Sequence, residues 1–177
     1  MQIIEKTLRT VIRDVYDFPK KGIIFKDITP IFKDAKLCEQ IIDAFEQKFK
    51  DLDLDAIVGI ESRGLLFGFL LANRLRIPFI PIRKEGKLPA ETYKQSYDLE
   101  YGQATIEIHQ DAFEPGAKIL MHDDLLATGG TIAAASKLIE KMGGQIMAFA
   151  FVVSLDFLQG KDSIRPYCDR IFTLVDY

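Results

Sequence analysis

Residues 118–131 read KILMHDDLLATGGT, and their polarity switches once, in the middle. Lys118 to His122 form an apolar run entered from Pro115-Gly116 and followed by two carboxylates, the pattern of a buried parallel strand. Asp123 and Asp124 are expected to close that strand. Residues 125–129 then lead through a turn with paired glycines, and Thr131 opens an Ala-rich helical pattern that stops at Gly143-Gly144. Strand, glycine turn and helix in that order make an anion site. The first helical N–H groups have no intrahelical partner, the macrodipole is positive there, and glycine lets an anion approach the backbone. A 5'-phosphate fits such a cup.

Adjacent acids beside a phosphate cup need a separate reason, because they repel each other and the phosphate. A ribose supplies one: its vicinal hydroxyls donate to carboxylates, and a carboxylate beneath the ring stabilises positive charge developing at the anomeric carbon. A divalent metal held by both acids suits the pattern less well, since consecutive strand residues point to opposite faces. A Walker loop needs Lys after its last glycine, whereas Thr131 and Ile132 follow Gly130. A helix cap alone accounts for TGGT but not for the acids.

Working outward, residues 145–155 form a strongly apolar strand and 170–175 another, so the TGGT helix joins two apolar strands as in a βαβ unit. Residues 156–168 read as an irregular link with a short helical possibility. Upstream, AIVGI (56–60) is a short buried strand, Glu61-Ser62-Arg63-Gly64 a tight turn and residues 65–75 a helix. That junction makes a second candidate anion site from the turn backbone and Arg63. Two anion cups at two strand–helix junctions are what a ribose phosphorylated at both ends requires.

Residues 78–83 form a further strand. The stretch after it, with Lys84, Lys87, glycine, proline and tyrosines, reads as a mobile flap over about 84–109, alternation returning near Tyr97 and continuing into a hairpin around Gly102. There Thr105 and Glu107 share one face, opposite Ile106 and Ile108. Such a flap would keep water from an oxocarbenium-like ribose, and Arg83, Lys84 and Lys87 would neutralise a departing anion. At the N-terminus, residues 3–15 are an amphipathic helix, 16–33 a loop-and-strand lobe punctuated by Pro19, Gly22 and Pro30, and Asp34 caps a helix to about Lys50. Phe25 in the lobe reads either as packing or as a surface for a planar base.

The 177 residues suit one domain with an appended element, and 48% hydrophobic content is ample for a core. The net charge of −3 lacks the basic excess of a nucleic-acid binder. Cys38 and Cys168 form no CxxC, and no apolar run is long enough to span a membrane, so a cytoplasmic protein is expected.

On these residues the chain resembles the type I phosphoribosyltransferases: DDLLATGGT (123–131) is similar to their phosphoribosyl pyrophosphate signature in its adenine-specific form. His122 departs, standing where the family usually carries an aliphatic residue, and is read as a neutral packed or partly exposed side chain outside the site. FPKKGIIFKDIT (18–29) resembles the hood that covers the base in the adenine enzymes, which implies that Phe25 stacks on the base and that the backbone at Ile24, Phe25 and Lys26 reads its edge; many relatives have Arg at the position of Lys26. LEYG (99–102) resembles the segment whose Glu approaches N7 of the purine. This implies a catalytic role for Glu100 and a covering role for Tyr101. The resemblance further implies that Asp123 and Asp124 hold ribose, that Ala127, Thr128, Gly129, Gly130 and Thr131 hold the 5'-phosphate, and that Arg63, Lys84 and Lys87 serve pyrophosphate; it places Arg83, a pyrophosphate candidate by its charge and position, in the subunit interface region.

The expectation is therefore an α/β fold with a central, mostly parallel sheet flanked by helices, a small N-terminal hood and a flexible flap hairpin, in one domain over 1–177. The implied reaction is transfer of 5-phosphoribosyl from 5-phospho-α-D-ribose 1-diphosphate to adenine, giving AMP and pyrophosphate. Mg2+ would be held through substrate and water rather than by the protein directly. A homodimer is implied. Transfer to xanthine, hypoxanthine or guanine, and a non-enzymatic phosphoribosyl pyrophosphate sensor, are the alternatives.

Overall fold

The computed structural model describes residues 2–98 and 102–177. The N-terminal amphipathic pattern forms α1 (Gln2–Val11), which buries Leu8. It is shorter than the expected 3–15, because Arg13–Tyr16 is a strand, β1, paired antiparallel with β2 (Ile24–Asp27). That ribbon is the hood. Ion pairs stitch it across, Lys26 to Asp14 at 2.6 Å and Arg13 to Asp27 at 3.2 Å. A 3-10 turn (Thr29–Lys33) leads into α2 (Ala35–Phe49), whose first turn is capped by Asp34 accepting from the Leu37 amide at 3.0 Å.

The remaining elements are β3 (Ala56–Ile60), α3 (Gly64–Leu75), β4 (Phe79–Lys84), β5 (Thr92–Asp98), β6 (Gln103–His109), β7 (Lys118–Leu126), α4 (Gly130–Lys141), β8 (Gln145–Ser154), α5 (Gly160–Ile164) and β9 (Ile171–Asp176). Seven strands form one sheet in the order β5-β6-β4-β3-β7-β8-β9. β4, β3, β7, β8 and β9 run parallel, while β6 is antiparallel to β4 and to β5. β5 begins at Thr92, well before Tyr97, because its pairing with β6 runs from Thr92↔His109 to Asp98↔Gln103. The hairpin is thus a continuation of the sheet, anchored to β4 through Arg83↔Glu107 and Lys84↔Ile106.

Alternation along the strands divides the interior into two layers. Ala148, Ala150 and Val152 of β8 pack with the buried faces of α1, α2 and α3, whereas Phe149 and Phe151 pack with those of α4 and α5. Phe149 and Phe151 are fully buried, and each contributes roughly 1.5–3 kcal/mol of hydrophobic stabilisation. Helices therefore cover both faces. Since α3 follows β3 on one face and α4 follows β7 on the other, the chain departs in opposite directions from two adjacent strands. A crevice opens at the C-terminal ends of strands at such a switch point, which is where ligands bind in open α/β sheets. No described helix is long and apolar enough to cross a membrane.

Candidate active site

The two junctions at the switch point are built differently. Strand β7 does not end at the acids but continues to Leu126, because Leu125 pairs with Val153 and Leu126 with Ser154 of β8. Asp123 and Asp124 therefore project to opposite faces from within a strand. Beyond Leu126 the chain turns through Ala127 and Thr128 to Gly129, which caps α4 at φ +81°, a left-handed conformation that favours glycine. The helix starts at Gly130, one residue earlier than expected, and the Ala133 amide closes the first turn on the Gly129 carbonyl at 2.8 Å. The loop encloses a cavity of about 80 Å³, lined by Asp123 and residues 125–132, at the positive end of α4.

This cup is braced from outside by α5, the short helix in the link 156–168. A Cβ on Gly160 would stand 2.1 Å from the Ala127 carbonyl oxygen, and one on Gly129 would stand 2.6 Å from the Gly160 carbonyl oxygen, so the two backbones touch only because both residues are glycine. Ser163 Oγ adds a hydrogen bond to the Thr128 carbonyl at 2.9 Å. Gly160 and Ser163 are functional supports that sequence reasoning missed. The one local signal was the glycine in Gln159-Gly160.

The second junction is made of charged side chains. Arg63 Nε donates to Asp124 Oδ2 at 2.5 Å, and its guanidinium carbon lies 5.9 Å from the centre of the Phe25 ring. Phe25 in turn meets Phe18 edge to face at 5.2 Å. Hood and acidic pair, separated in sequence, thus converge on one guanidinium of the junction after β3. The close approach depends on Gly64, where a Cβ would meet Asp123 Oδ1 at 2.6 Å. Arg83 Nε donates to Glu61 at 3.0 Å, and the Lys84 amide donates to the same oxygen at 3.0 Å. Burial alone would raise the Glu61 pKa, but Arg83 and the Lys84 amide hold it below the usual carboxylate value. Lys84 and Lys87 are exposed on a turn around Gly86.

The Lys26 ammonium pairs with Asp14 and lies 3.9 Å from the centre of the Tyr177 ring, on the opposite side of β2 from Phe25. Its backbone, with that of exposed Ile24, remains beside Phe25. Glu100 and Tyr101 lie outside the described residues.

Electrostatics separates the two acids. Asp124 is 4% exposed and engaged by Arg63, while Asp123 stands at the mouth of the cup and accepts the Asp124 amide at 2.8 Å. Burial, and then the neighbouring Asp124 charge, push the Asp123 carboxyl well above the usual carboxylate range. Facing the core instead, His122 is fully buried, with both ring nitrogens unpartnered and the ring edge to face with Phe45 at 5.5 Å. Burial lowers its pKa to about 4, so it is neutral. The arrangement offers a backbone cup for one anion, carboxylates for neighbouring hydroxyls, basic side chains for a second anion and an aromatic face beside them.

Residues 28–177 match the family described as phosphoribosyl transferase domain. Over 176 residues the chain is 52% identical to the adenine phosphoribosyltransferase of Cytophaga hutchinsonii, covering 99% of this chain and 97% of that protein. The crystal structure of adenine phosphoribosyltransferase from Thermoanaerobacter pseudethanolicus superposes with a TM-score of 0.92 at 45% identity, covering 97% of this chain and 99% of that one. The enzyme from Saccharomyces cerevisiae, solved with an imino-altritol bisphosphate and adenine, has the same TM-score of 0.92 at 39% identity, covering 98% and 99% of the two chains.

Proposed function

The chain belongs to the phosphoribosyltransferases, with adenine phosphoribosyltransferases as its relatives, and we propose that it makes AMP and pyrophosphate from adenine and 5-phospho-α-D-ribose 1-diphosphate, a purine salvage reaction. The carrying observation is the convergence of Phe25, Arg63 and Asp124 on the crevice beside the glycine cup. In the reaction the bond from the anomeric carbon to the diphosphate oxygen breaks, the bond from that carbon to N9 of adenine forms, and the base loses a proton. Residues 127–131 hold the 5'-phosphate through first-turn amides of α4. Asp123 and Asp124 are assigned to the ribose, where a carboxylate stabilises the oxocarbenium-like ring. Arg63, Arg83, Lys84 and Lys87 serve the diphosphate. Phe25, with the backbone of Ile24 and Lys26, faces the base. Glu100 bonds to N7 and handles the purine's proton, and Tyr101 covers the reacting centre.

Magnesium is assigned to the substrate. Mg2+ keeps several waters and takes few carboxylates, and Asp124 is already engaged by Arg63, so the metal would be held mainly by the diphosphate, the ribose hydroxyls and water. The reaction belongs in the cytoplasm. A second copy of the chain covers the outer face of α3, where Leu66, Phe69 and Leu70 are 46–57% exposed beside a cavity of about 610 Å³. Phe69→Lys should turn a dimer into a monomer in sedimentation.

The test is magnesium-dependent pyrophosphate release with adenine, hypoxanthine, guanine, xanthine and orotate offered separately. Release with adenine alone supports the reading; release with another base overturns the assignments of Phe25 and Glu100. No release with any base, despite binding of the donor, favours a sensor. Glu100→Gln should remove turnover while sparing donor binding.

A further inference from the structure

Glu107 was expected to lie on the same hairpin face as Thr105, yet it is only 2% exposed, the one charged residue of β6 that is buried. The cause is the chain ahead of the hairpin, which folds back over it. Glu107 Oε1 accepts the Lys87 amide at 2.9 Å and the Leu88 amide at 3.0 Å, while Oε2 accepts the Thr92 hydroxyl at 3.2 Å. Burial alone would raise its pKa, but the Leu88 and Lys87 amides and the Thr92 hydroxyl hold it below the usual carboxylate value. A buried carboxylate with three donors is ionised and fixed.

While Thr92 opens β5, the two amide donors belong to one turn. Lys84 enters it with its amide on Glu61, Gly86 turns it at φ +79°, and Lys87 leaves it with its amide shared between Glu107 and the Lys84 carbonyl, the latter at 3.2 Å. The backbone that carries Lys84 and Lys87 is therefore clamped at both ends by carboxylates, one from the junction after β3 and one from β6. Both lysine side chains are left exposed. Long exposed side chains are poorly ordered, so what directs their ammonium groups is where the backbone holds their Cα atoms.

We propose that Glu107 is a positioning residue for the diphosphate end of the reaction, fixing the turn 84–88 so that Lys84 and Lys87 meet the donor's diphosphate. The proposal rests on the phosphoribosyl transfer reading above. It has an unusual sign. Removing a negative charge near an anion site strengthens anion binding by Coulomb's law if that charge is a bystander. Removing a positioning carboxylate weakens it, because the turn loses its fixed geometry.

Glu107→Gln keeps the length of the side chain and one acceptor oxygen but removes the charge; Glu107→Ala removes every acceptor. In steady-state pyrophosphate release, KM for the donor is expected to rise several-fold in Glu107→Gln and about 10- to 100-fold in Glu107→Ala, with KM for adenine unchanged. Calorimetric titration with magnesium pyrophosphate should show the same ranking. A donor KM that falls or stays level in Glu107→Gln, or donor and adenine KM values that rise together, overturns the proposal. If the Ala variant does not fold, the Gln variant alone decides by the direction of its change. Wild-type protein that releases no pyrophosphate with adenine overturns the transfer reading itself, a result separate from any effect of Glu107.

Discussion

The junction after β7 and the junction after β3 sit side by side at the switch point, yet one is built of backbone and the other of side chains. After β7, two glycines and the start of α4 form a cup that α5 braces from outside, with Gly160 against Ala127 and Ser163 on Thr128. After β3, Arg63 and Glu61 reach to Asp124, Phe25, Arg83 and Lys84 through ion pairs and hydrogen bonds. Under the proposed reaction the difference has a reason. The 5'-phosphate is bound to the same carbon before and after transfer, so a rigid backbone cup costs nothing to keep. The diphosphate must leave, and side-chain contacts can exchange partners as it does.

Breaking the cup should have the largest effect. Gly160→Ala drives a Cβ against the Ala127 carbonyl and should cut kcat/KM about 100-fold, with a lower Tm, measured by pyrophosphate release and thermal unfolding. Breaking the other junction should cost less: Arg63→Met removes one charge-assisted contact, and a donor KM about tenfold higher is expected, with the fold retained by circular dichroism. A subtler substitution sharpens the contrast. At Gly130 a Cβ meets nothing closer than Thr128 Oγ1 at 3.9 Å, so Gly130→Ala should leave Tm unchanged or slightly higher while raising the donor KM. Loss of stability without loss of donor binding there would show that the cup is not the phosphate site.

The smallest effect on activity concerns His122. Its folded pKa, lowered to about 4 from 6.5, means that the unfolded chain takes up the proton first as pH falls. Stability is therefore full above pH 6.5 and declines between 6.5 and about 4, by about 3 kcal/mol from this group. His122→Val should remove that part of the slope in urea unfolding at a series of pH values, with kcat/KM at neutral pH unchanged.

The central motif was legible because strand, glycine turn and helix are contiguous, and the two acids needed an explanation that a cap does not give. Three things were not legible, all for the same physical reason. The extension of β7 past Asp124 depends on pairing with β8, the shortening of α1 on pairing between β1 and β2, and the burial of Glu107 on a turn that folds over it. Each is decided by partners distant in sequence, which local pattern does not report. The bracing of the cup by Gly160 is of the same kind. At Lys26 the carried-over role is a backbone one; the side chain is a separate matter, its ammonium committed to Asp14 and Tyr177.

The most direct test of the division between the two junctions is 31P NMR of the bound donor in wild-type protein, Gly130→Ala and Arg63→Met. The account predicts that the 5'-phosphate resonance alone moves in Gly130→Ala and that the diphosphate resonances alone move in Arg63→Met. The opposite pairing, or both sets moving together in both variants, would contradict it.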